Sequence, residues 1–444
     1  MLLVCPCTII LYMESTGLAS FMNTIYRWSL KAGVAILDQA LFSGSNFVLN
    51  ILLARWLRPE EYGAFALSFA IYLFFSGFHN ALILEPMSVL GTAKYLDSLK
   101  SYMAGQFFIH AIVTGLSGLL ILIIGLALLF FHLVELFLSL FIIGTGIFLP
   151  LMLLIWLARR SCYILGRPGW ALMSSLVYSF VLIFGAFFLH NKEHRASPLH
   201  WYLLLGIASL AGSLLIYVNP NIVSFVKSNW FPWLREQWSF GKWIVLAAFL
   251  NFAGTQIQLF VVATQLGLGQ AGTFRALQNF MLPMMQILAA VSMLMLPSVS
   301  FEFGQQNFRL MKSKAMKVVV GLTAVSFVYM IILFIFAKPA EQLLYDGKFS
   351  EYTAFISLIG FVPFITAMEI GFSLVVRSLQ RPVYYAVSTG AMALVGVIFG
   401  PIFVDIWAVR GAVLSLIVAA LISLTMNFWF YRKWFIPKLS MESA

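Results

Sequence analysis

The sequence predicts an all-α integral membrane protein, with twelve transmembrane helices in two pseudo-symmetric six-helix lobes around a central cavity. Three observations lead there. Of 444 residues, 62% are apolar and 10% charged, with a mean hydropathy of +0.96. Soluble domains hold about 45–50% apolar and about 25% charged residues. The apolar residues gather in twelve runs long enough to cross a bilayer, at about 20 residues each. A polar gap then divides the runs six and six. This composition excludes soluble enzymes, secreted factors and nucleic-acid-binding modules, although a net charge of +11 would suggest nucleic acid in a soluble chain. Three cysteines, Cys5, Cys7 and Cys162, are too few for a disulfide framework.

Residues 1–32 read as a loose cytoplasmic leader. Their apolar stretch, 2–13, is too short to span and lacks the basic flank of a signal peptide; Met13 and Met22 offer alternative starts. The N-lobe, 33–218, holds runs near 33–57, 62–84, 102–130, 134–157, 168–189 and 200–218. The gap 219–241 is basic and tryptophan-rich, the composition of a segment lying on the inner leaflet. The C-lobe, 242–431, holds runs near 242–265, 270–296, 315–337, 353–376, 382–405 and 409–431, and 432–444 is a cytoplasmic tail. Each run is read as a helix because a segment in hydrocarbon must satisfy its own backbone hydrogen bonds.

Orientation follows from the positive-inside rule. With the N-terminus inside, 19 of the 27 Lys and Arg residues fall on the cytoplasmic side. Both termini are therefore expected in the cytoplasm. All twelve tryptophans lie at or just beyond a predicted helix end, the depth that an indole with one N–H donor prefers.

The halves echo each other. Ala54, Leu57, Gly63 and Phe65 match Ala263, Leu266, Gly272 and Phe274 at a constant offset of 209 residues. Leu165-Gly166-Arg167-Pro168 has a counterpart in Leu379-Gln380-Arg381-Pro382. Because six spans is an even number, the repeats share one orientation, which predicts a pseudo-twofold axis along the membrane normal.

Polar residues inside the spans are the candidates for function, since polar groups in hydrocarbon face the bundle interior or a wet cavity. On the first helix, Asp38, Gln39, Ser43, Ser45, Asn46 and Asn50 share an arc of roughly 160° at 100° per residue. Arg55 points away from that arc and is expected to snorkel toward headgroups. The second helix carries a narrower stripe of Ser68, Tyr72, Ser76, His79 and Asn80. Asn251, Thr255 and Gln258 line one side of the seventh, and Arg275, Gln278, Asn279 and Gln286 one side of the eighth. As substrate contacts these patterns nominate Arg275, Gln278, Asn279, Gln286, Asn46, Asn50, Asn251 and Gln258; the competing reading is interhelical glue. Asp38 and Glu369 are candidates for a coupling ion, or alternatively for a structural ion pair or a neutral carboxyl. Glu85 is expected at a helix end in solvent. His190, His194 and His200 share one loop without a metal-ligand pattern, so no metal or cofactor is expected. No loop carries a catalytic signature, and no enzyme activity is expected.

The segment from Asp38 to Gly91 resembles the opening of polysaccharide-biosynthesis membrane proteins, the Wzx-type O-antigen and exopolysaccharide flippases of the multidrug/oligosaccharidyl-lipid/polysaccharide (MOP) exporter superfamily. The resemblance rests on a polar first helix followed by Ala54-Arg55-Trp56-Leu57 and Pro59-Glu60-Glu61-Tyr62-Gly63. It recurs more weakly in Gly272-Thr273-Phe274-Arg275-Ala276-Leu277-Gln278. It implies alternating-access transport of a lipid-linked oligosaccharide, typically on undecaprenyl pyrophosphate, across a bacterial inner membrane. H⁺ or Na⁺ is the implied coupling ion, and other polysaccharide-assembly membrane proteins are implied partners. Arg275 would suit the pyrophosphate, because Arg–phosphate hydrogen bonds are strong and directional. Lipid II flippases of the superfamily place arginine beside aspartate in the first helix, whereas here Gln39 follows Asp38; this argues against a peptidoglycan precursor. The rival readings are a cation-coupled exporter of organic cations, which Arg275 would repel, and a membrane glycan polymerase, for which the outer loops are short.

Overall fold

The computed structural model describes residues 18–95, 97–191, 197–218, 230–379 and 382–442. The leader up to residue 17 with Cys5 and Cys7, His194, the linker start 219–229 and the Gln380-Arg381 pair lie outside the described residues. Among the described residues every element is helical. In chain order they are α1 (Leu18–Trp56), α2 (Pro59–His79), a π-turn (Asn80–Leu84), α3 (Glu85–Ala93), α4 (Leu99–Phe130), α5 (Leu136–Ile164), α6 (Pro168–Asn191), α7 (Pro198–Tyr217) and α8 (Phe231–Leu266). Then follow α9 (Leu268–Asn279), α10 (Leu282–Gly304), α11 (Phe308–Tyr345), a 3₁₀ turn (Ser350–Tyr352), α12 (Thr353–Ile359), α13 (Phe361–Ser378), α14 (Pro382–Leu394), a second π-turn (Val395–Phe399), α15 (Gly400–Phe430), a third π-turn (Tyr431–Phe435) and α16 (Ile436–Glu442).

Proline sets several starts. Helices α2, α6, α7 and α14 each begin on one, where the missing N–H is an orphan anyway and φ is already helical. At α7 the cap is a reciprocal box: Leu199 N donates to Ser197 Oγ (3.3 Å) and Ser197 N donates to His200 Nδ1 (3.2 Å). One of the three clustered histidines is thereby used as a helix cap. The Leu165-Gly166-Arg167-Pro168 motif is a stop and restart, with Gly166 at φ 68° ending α5 and Pro168 opening α6.

Among the described residues, eleven helical stretches are long and apolar enough to span a membrane. The eleventh and twelfth predicted runs are counted once, within Ala386–Leu439. That stretch turns back on itself at Ala408 (φ 49°, ψ −133°). A Cβ at Gly411 would overlap the Phe403 carbonyl, and the arms return close enough for a Cβ at Gly400 to lie 3.6 Å from Ser415 Oγ.

The chain divides into two compact units. The first takes residues up to 50 together with 68–248. Around its π-turn, Leu82, Ile83, Leu84, Met87, Tyr102, Ile109 and Leu157 form a buried core, with Trp230 and Trp233 packed against it. Lys94 and Tyr95 hold the start of α8 here, donating to Glu236 Oε1 (2.7 Å) and Oε2 (2.6 Å).

The second unit takes 51–67 together with 249–444. Its main core runs from Leu288 and Met311 to Leu374, Val376 and Phe435. The α1–α2 turn is fastened inside this unit. Lys348 Nζ donates to the carbonyls of Ala54 (3.0 Å), Arg55 (2.5 Å) and Leu57 (2.7 Å), closing the C-terminal end of α1, where helix carbonyls lack partners. Arg55 donates to Leu343 O (3.2 Å) and lies 3.7 Å from the Asp346 carboxylate.

Candidate functional site

In the first unit the polar face of α1 is largely consumed by α5 and α6. Asp38 is fully buried and faces Arg159, itself only 4% exposed. Arg159 donates through Nη2 to Asp38 Oδ2 (2.8 Å) and through Nε to Oδ1 (3.2 Å). Tyr163 donates to the same Oδ2, and Ser175 to Oδ1. The carboxylate thus accepts four hydrogen bonds, about its full capacity. The guanidinium also lies over the Phe42 ring at 4.2 Å and bonds Gln39 Oε1 (3.1 Å). For such a paired and fully bonded charge the desolvation cost of the low-dielectric interior is offset by the partner and the hydrogen bonds.

Asn46 donates to Phe42 O (2.8 Å) and accepts from Tyr178 OH (2.9 Å). Asn50 donates to Asn46 O (3.0 Å) and its Oδ1 has no partner. These two amides mostly bond their own helix and one neighbour.

The second unit holds a different arrangement. Arg275, Gln278 and Asn279 on α9 are all buried, with exposures of 6%, 1% and 1%. Arg275 Nη1 reaches Gln278 Oε1 at 3.4 Å, while its Nε has no partner. Asn279 Nδ2 donates to the hydroxyls of Tyr62 (2.9 Å) and Tyr345 (3.2 Å), and Tyr345 donates to Ala276 O (3.0 Å). The Tyr62 hydroxyl also faces Arg275. No carboxylate pairs with Arg275 among the described residues. The result is a buried cation among neutral hydroxyls and amides with spare acceptors and donors, including Asn279 Oδ1. That chemistry suits an anion carrying hydroxyl groups.

The remaining nominated residues are separate from this cluster. Gln286 and Asn251 are exposed. Gln258 is buried, donates to Ser415 Oγ (3.3 Å), and keeps an unpartnered Oε1. Glu369 on α13 accepts from Ser423 Oγ and Asn427 Nδ2, both at 2.8 Å, and pairs with no basic group among the described residues.

Several functional-looking groups escaped the sequence reading. Arg159 lies just beyond the apolar run 134–157, where a basic residue reads as one more cytoplasmic cation. Its partner lies 121 residues away, beyond any local pattern. Tyr62 and Tyr345 look apolar in a hydropathy window, although their hydroxyls complete the Arg275 cluster.

Comparison with solved structures places the fold. A MATE-family multidrug-resistance transporter of the MOP superfamily, in an inward-facing conformation, superposes with a TM-score of 0.77 at 12% identity, covering 91% of this chain and 99% of that one. A MATE-family transporter in an outward-facing conformation gives 0.65 at 10% identity, covering 92% and 95%. The lipid II flippase MurJ, inward closed, gives 0.67 at 13% identity, covering 91% and 87%. Among curated proteins, none matches the sequence. The family model for polysaccharide biosynthesis proteins matches residues 52–354, a stretch that includes the α1–α2 turn, the Arg275 cluster and the Asp38 partners Arg159, Tyr163 and Ser175. With that match over most of its length and the MOP-transporter fold beneath it, this multi-pass membrane protein belongs to the polysaccharide biosynthesis protein family.

Proposed function

We propose that the protein moves a lipid-linked oligosaccharide, carried on a polyprenyl pyrophosphate, across a bacterial inner membrane by alternating access. The observation that carries this reading is Arg275: a buried guanidinium with an open Nε and, among the described residues, no carboxylate partner, ringed by Tyr62, Gln278, Asn279 and Tyr345. Phosphate oxygens would supply the missing acceptors, and the amides and hydroxyls would bond sugars without demanding one stereochemistry. The basic-residue distribution supports cytoplasmic termini. Such a carrier would serve O-antigen or exopolysaccharide synthesis and work beside other polysaccharide-assembly membrane proteins.

The test is headgroup translocation in proteoliposomes, using a fluorescent undecaprenyl-pyrophosphate oligosaccharide. A charge-assisted hydrogen bond contributes about 1.5–3 kcal/mol, so Arg275→Ala should slow translocation about tenfold to a hundredfold. Arg275→Lys should recover part of it, since a point charge remains without the planar fork. Equal rates in all three proteins would discard the site.

A second reading has one observation in its favour. Among the described residues Glu369 accepts from neutral donors, Ser423 and Asn427, which suits a carboxyl that exchanges a coupling cation, as in an antiporter for organic cations. Arg275 opposes that substrate class. Cation-driven efflux of an organic cation, with no translocation of any lipid-linked glycan, would put the antiporter first.

A further inference from the structure

His79 and His110 form a buried pair that the Arg275 and Asp38 clusters do not use. His79 ends α2 just before the π-turn, and His110 lies in α4; their exposures are 1% and 3%. The rings meet edge to face with centroids 5.0 Å apart. His79 Nε2 lies 2.9 Å from His110 Nδ1, and His110 Nε2 lies 3.2 Å from the Pro150 carbonyl oxygen in α5.

The protons can be assigned from these partners. A carbonyl only accepts, so His110 Nε2 carries a hydrogen. A neutral imidazole has one N–H, so His110 Nδ1 is the acceptor and His79 Nε2 donates to it. The same count leaves His79 Nδ1 with a bare lone pair, and that atom has no partner among the described residues. Two neutral rings therefore stand in series, with an empty basic nitrogen at one end and a carbonyl at the other.

We propose that this pair is a proton-binding site, taking a proton at His79 Nδ1 and storing the charge on His110. The proposal rests on the transporter reading and names its coupling ion. An N–H bond forms at His79 Nδ1; the N–H bond at His79 Nε2 breaks as one forms at His110 Nδ1. His79 stays neutral with its hydrogen moved, and His110 becomes an imidazolium donating to His79 Nε2 and Pro150 O. Every existing hydrogen bond is kept, with the central one reversed in direction.

The surroundings fit this direction of transfer. Arg160, from α5, acts electrostatically on His79 and lies 3.4 Å from Asn80 Oδ1. Its positive charge disfavours a second charge on His79 and so favours handing the proton to His110. Glu85, beyond the π-turn, acts on Arg160 in the opposite sense. The start of α8 packs at Ala81 through Gly241 and carries Arg235, Glu236 and Lys242. The π-turn supplies a place where α2 can shift register beside the ring, a role π-bulges often take at functional sites. Sodium is excluded by the donor set, because a hard cation needs several oxygen ligands and the pair offers one carbonyl. Asp38 is the less suitable proton site, since four donors already fill its oxygens.

The experiment is an imidazole-nitrogen NMR titration of the full ¹⁵N-histidine-labelled chain in lipid nanodiscs, with tryptophan fluorescence confirming an intact fold. As the pH is lowered from about 8 to about 4, past the ordinary histidine range because the rings are buried, the His110 resonances should pass from the neutral tautomer to the imidazolium. In His79→Gln, whose amide can still donate to His110 Nδ1, that passage should be lost. His110 remaining neutral in the folded wild type, or titrating identically in His79→Gln, would overturn the site. In proteoliposomes, a proton gradient should accelerate wild-type translocation, and His79→Gln should remove the acceleration. A sodium gradient that drives the wild type equally well would overturn the coupling role. The titration needs no substrate. A failed glycan assay with an intact titration would therefore count against the proposed cargo and leave the proton site standing.

Discussion

Gly63 and Gly272 face each other as mirror partners of one contact. A Cβ at Gly63 would overlap the Leu268 carbonyl and lie 2.9 Å from Gly272 N; a Cβ at Gly272 would overlap the Pro59 carbonyl and lie 3.0 Å from Gly63 N. Both pairs of positions, 63 with 272 and 59 with 268, are separated by the repeat offset. The sequence repeat is thus expressed as a self-complementary contact between α2 and α9, the geometry of an isologous interface.

Substitution at that contact should be costly in either helix. Gly63→Ala and Gly272→Ala each put a methyl group against backbone, which cannot rotate away, and overpacking costs about 1–3 kcal/mol. Thermal unfolding in detergent should show a lower midpoint for both. A Gly272→Leu variant that melts like the wild type would refute the close approach.

The Asp38–Arg159 pair makes a second expectation. Arg159→Met strands a buried carboxylate, a change that costs about 3–5 kcal/mol. Adding Asp38→Asn removes the stranded charge; its amide oxygen still accepts from one of the Tyr163 and Ser175 hydroxyls and its NH2 can donate to the other, so the double variant should recover most of the loss. A double-mutant cycle measures the coupling, and additive effects would show that the two charges do not interact.

Around Arg275 the tyrosine hydroxyls can be removed one at a time. Tyr62→Phe and Tyr345→Phe each take an acceptor from Asn279 Nδ2, and an orphaned buried donor costs about 1–3 kcal/mol. Tyr345→Phe also frees the Ala276 carbonyl, and Tyr62→Phe also takes the hydroxyl that faces Arg275, so both should unfold at lower denaturant than the wild type. Chemical denaturation of the two variants beside the wild type checks this.

The Lys94–Tyr95–Glu236 cluster lies outside the spans and sets a pH window. Hydrogen bonds from Lys94 and then Tyr95 hold the Glu236 carboxyl below its ordinary 4.5, and the bond to Glu236 holds Lys94 above its ordinary 10.5. Glu236 therefore stabilises the fold above about pH 4.5, and that contribution fades as the pH falls through its lowered value. Lys94 contributes below about pH 10.5, and its share fades as the pH rises through its raised value. Hydrogen exchange over residues 231–241 should be slowest between these limits, and Glu236→Gln should flatten the acid arm.

Much of the fold was legible because hydrocarbon imposes a simple rule on sequence: long apolar runs must be helices. The runs near 102–130 and 200–218 match α4 and α7 closely for that reason. The π-turn at Asn80–Leu84 left no trace, since one inserted residue does not disturb a hydropathy average. The Ala408 turn showed only as a brief interruption between two runs. At the candidate site, Arg275, Gln278 and Asn279 were legible as polar residues on one short stretch of helix. Arg159, Tyr62 and Tyr345 were not, because their roles arise from partners far apart in sequence.

The fastening of residues 51–67 within the second unit has a consequence for biosynthesis. The α1–α2 turn enters the bilayer early, yet Leu268, Gly272, Asn279 and Lys348 are made more than 200 residues later. Until then the carbonyls of Ala54, Arg55 and Leu57 have no lysine, and the Gly63 face has no backbone to rest against. The nascent first half must wait with this hairpin unfinished, so a premature stop before α9 should leave a degradable fragment rather than a stable half-protein.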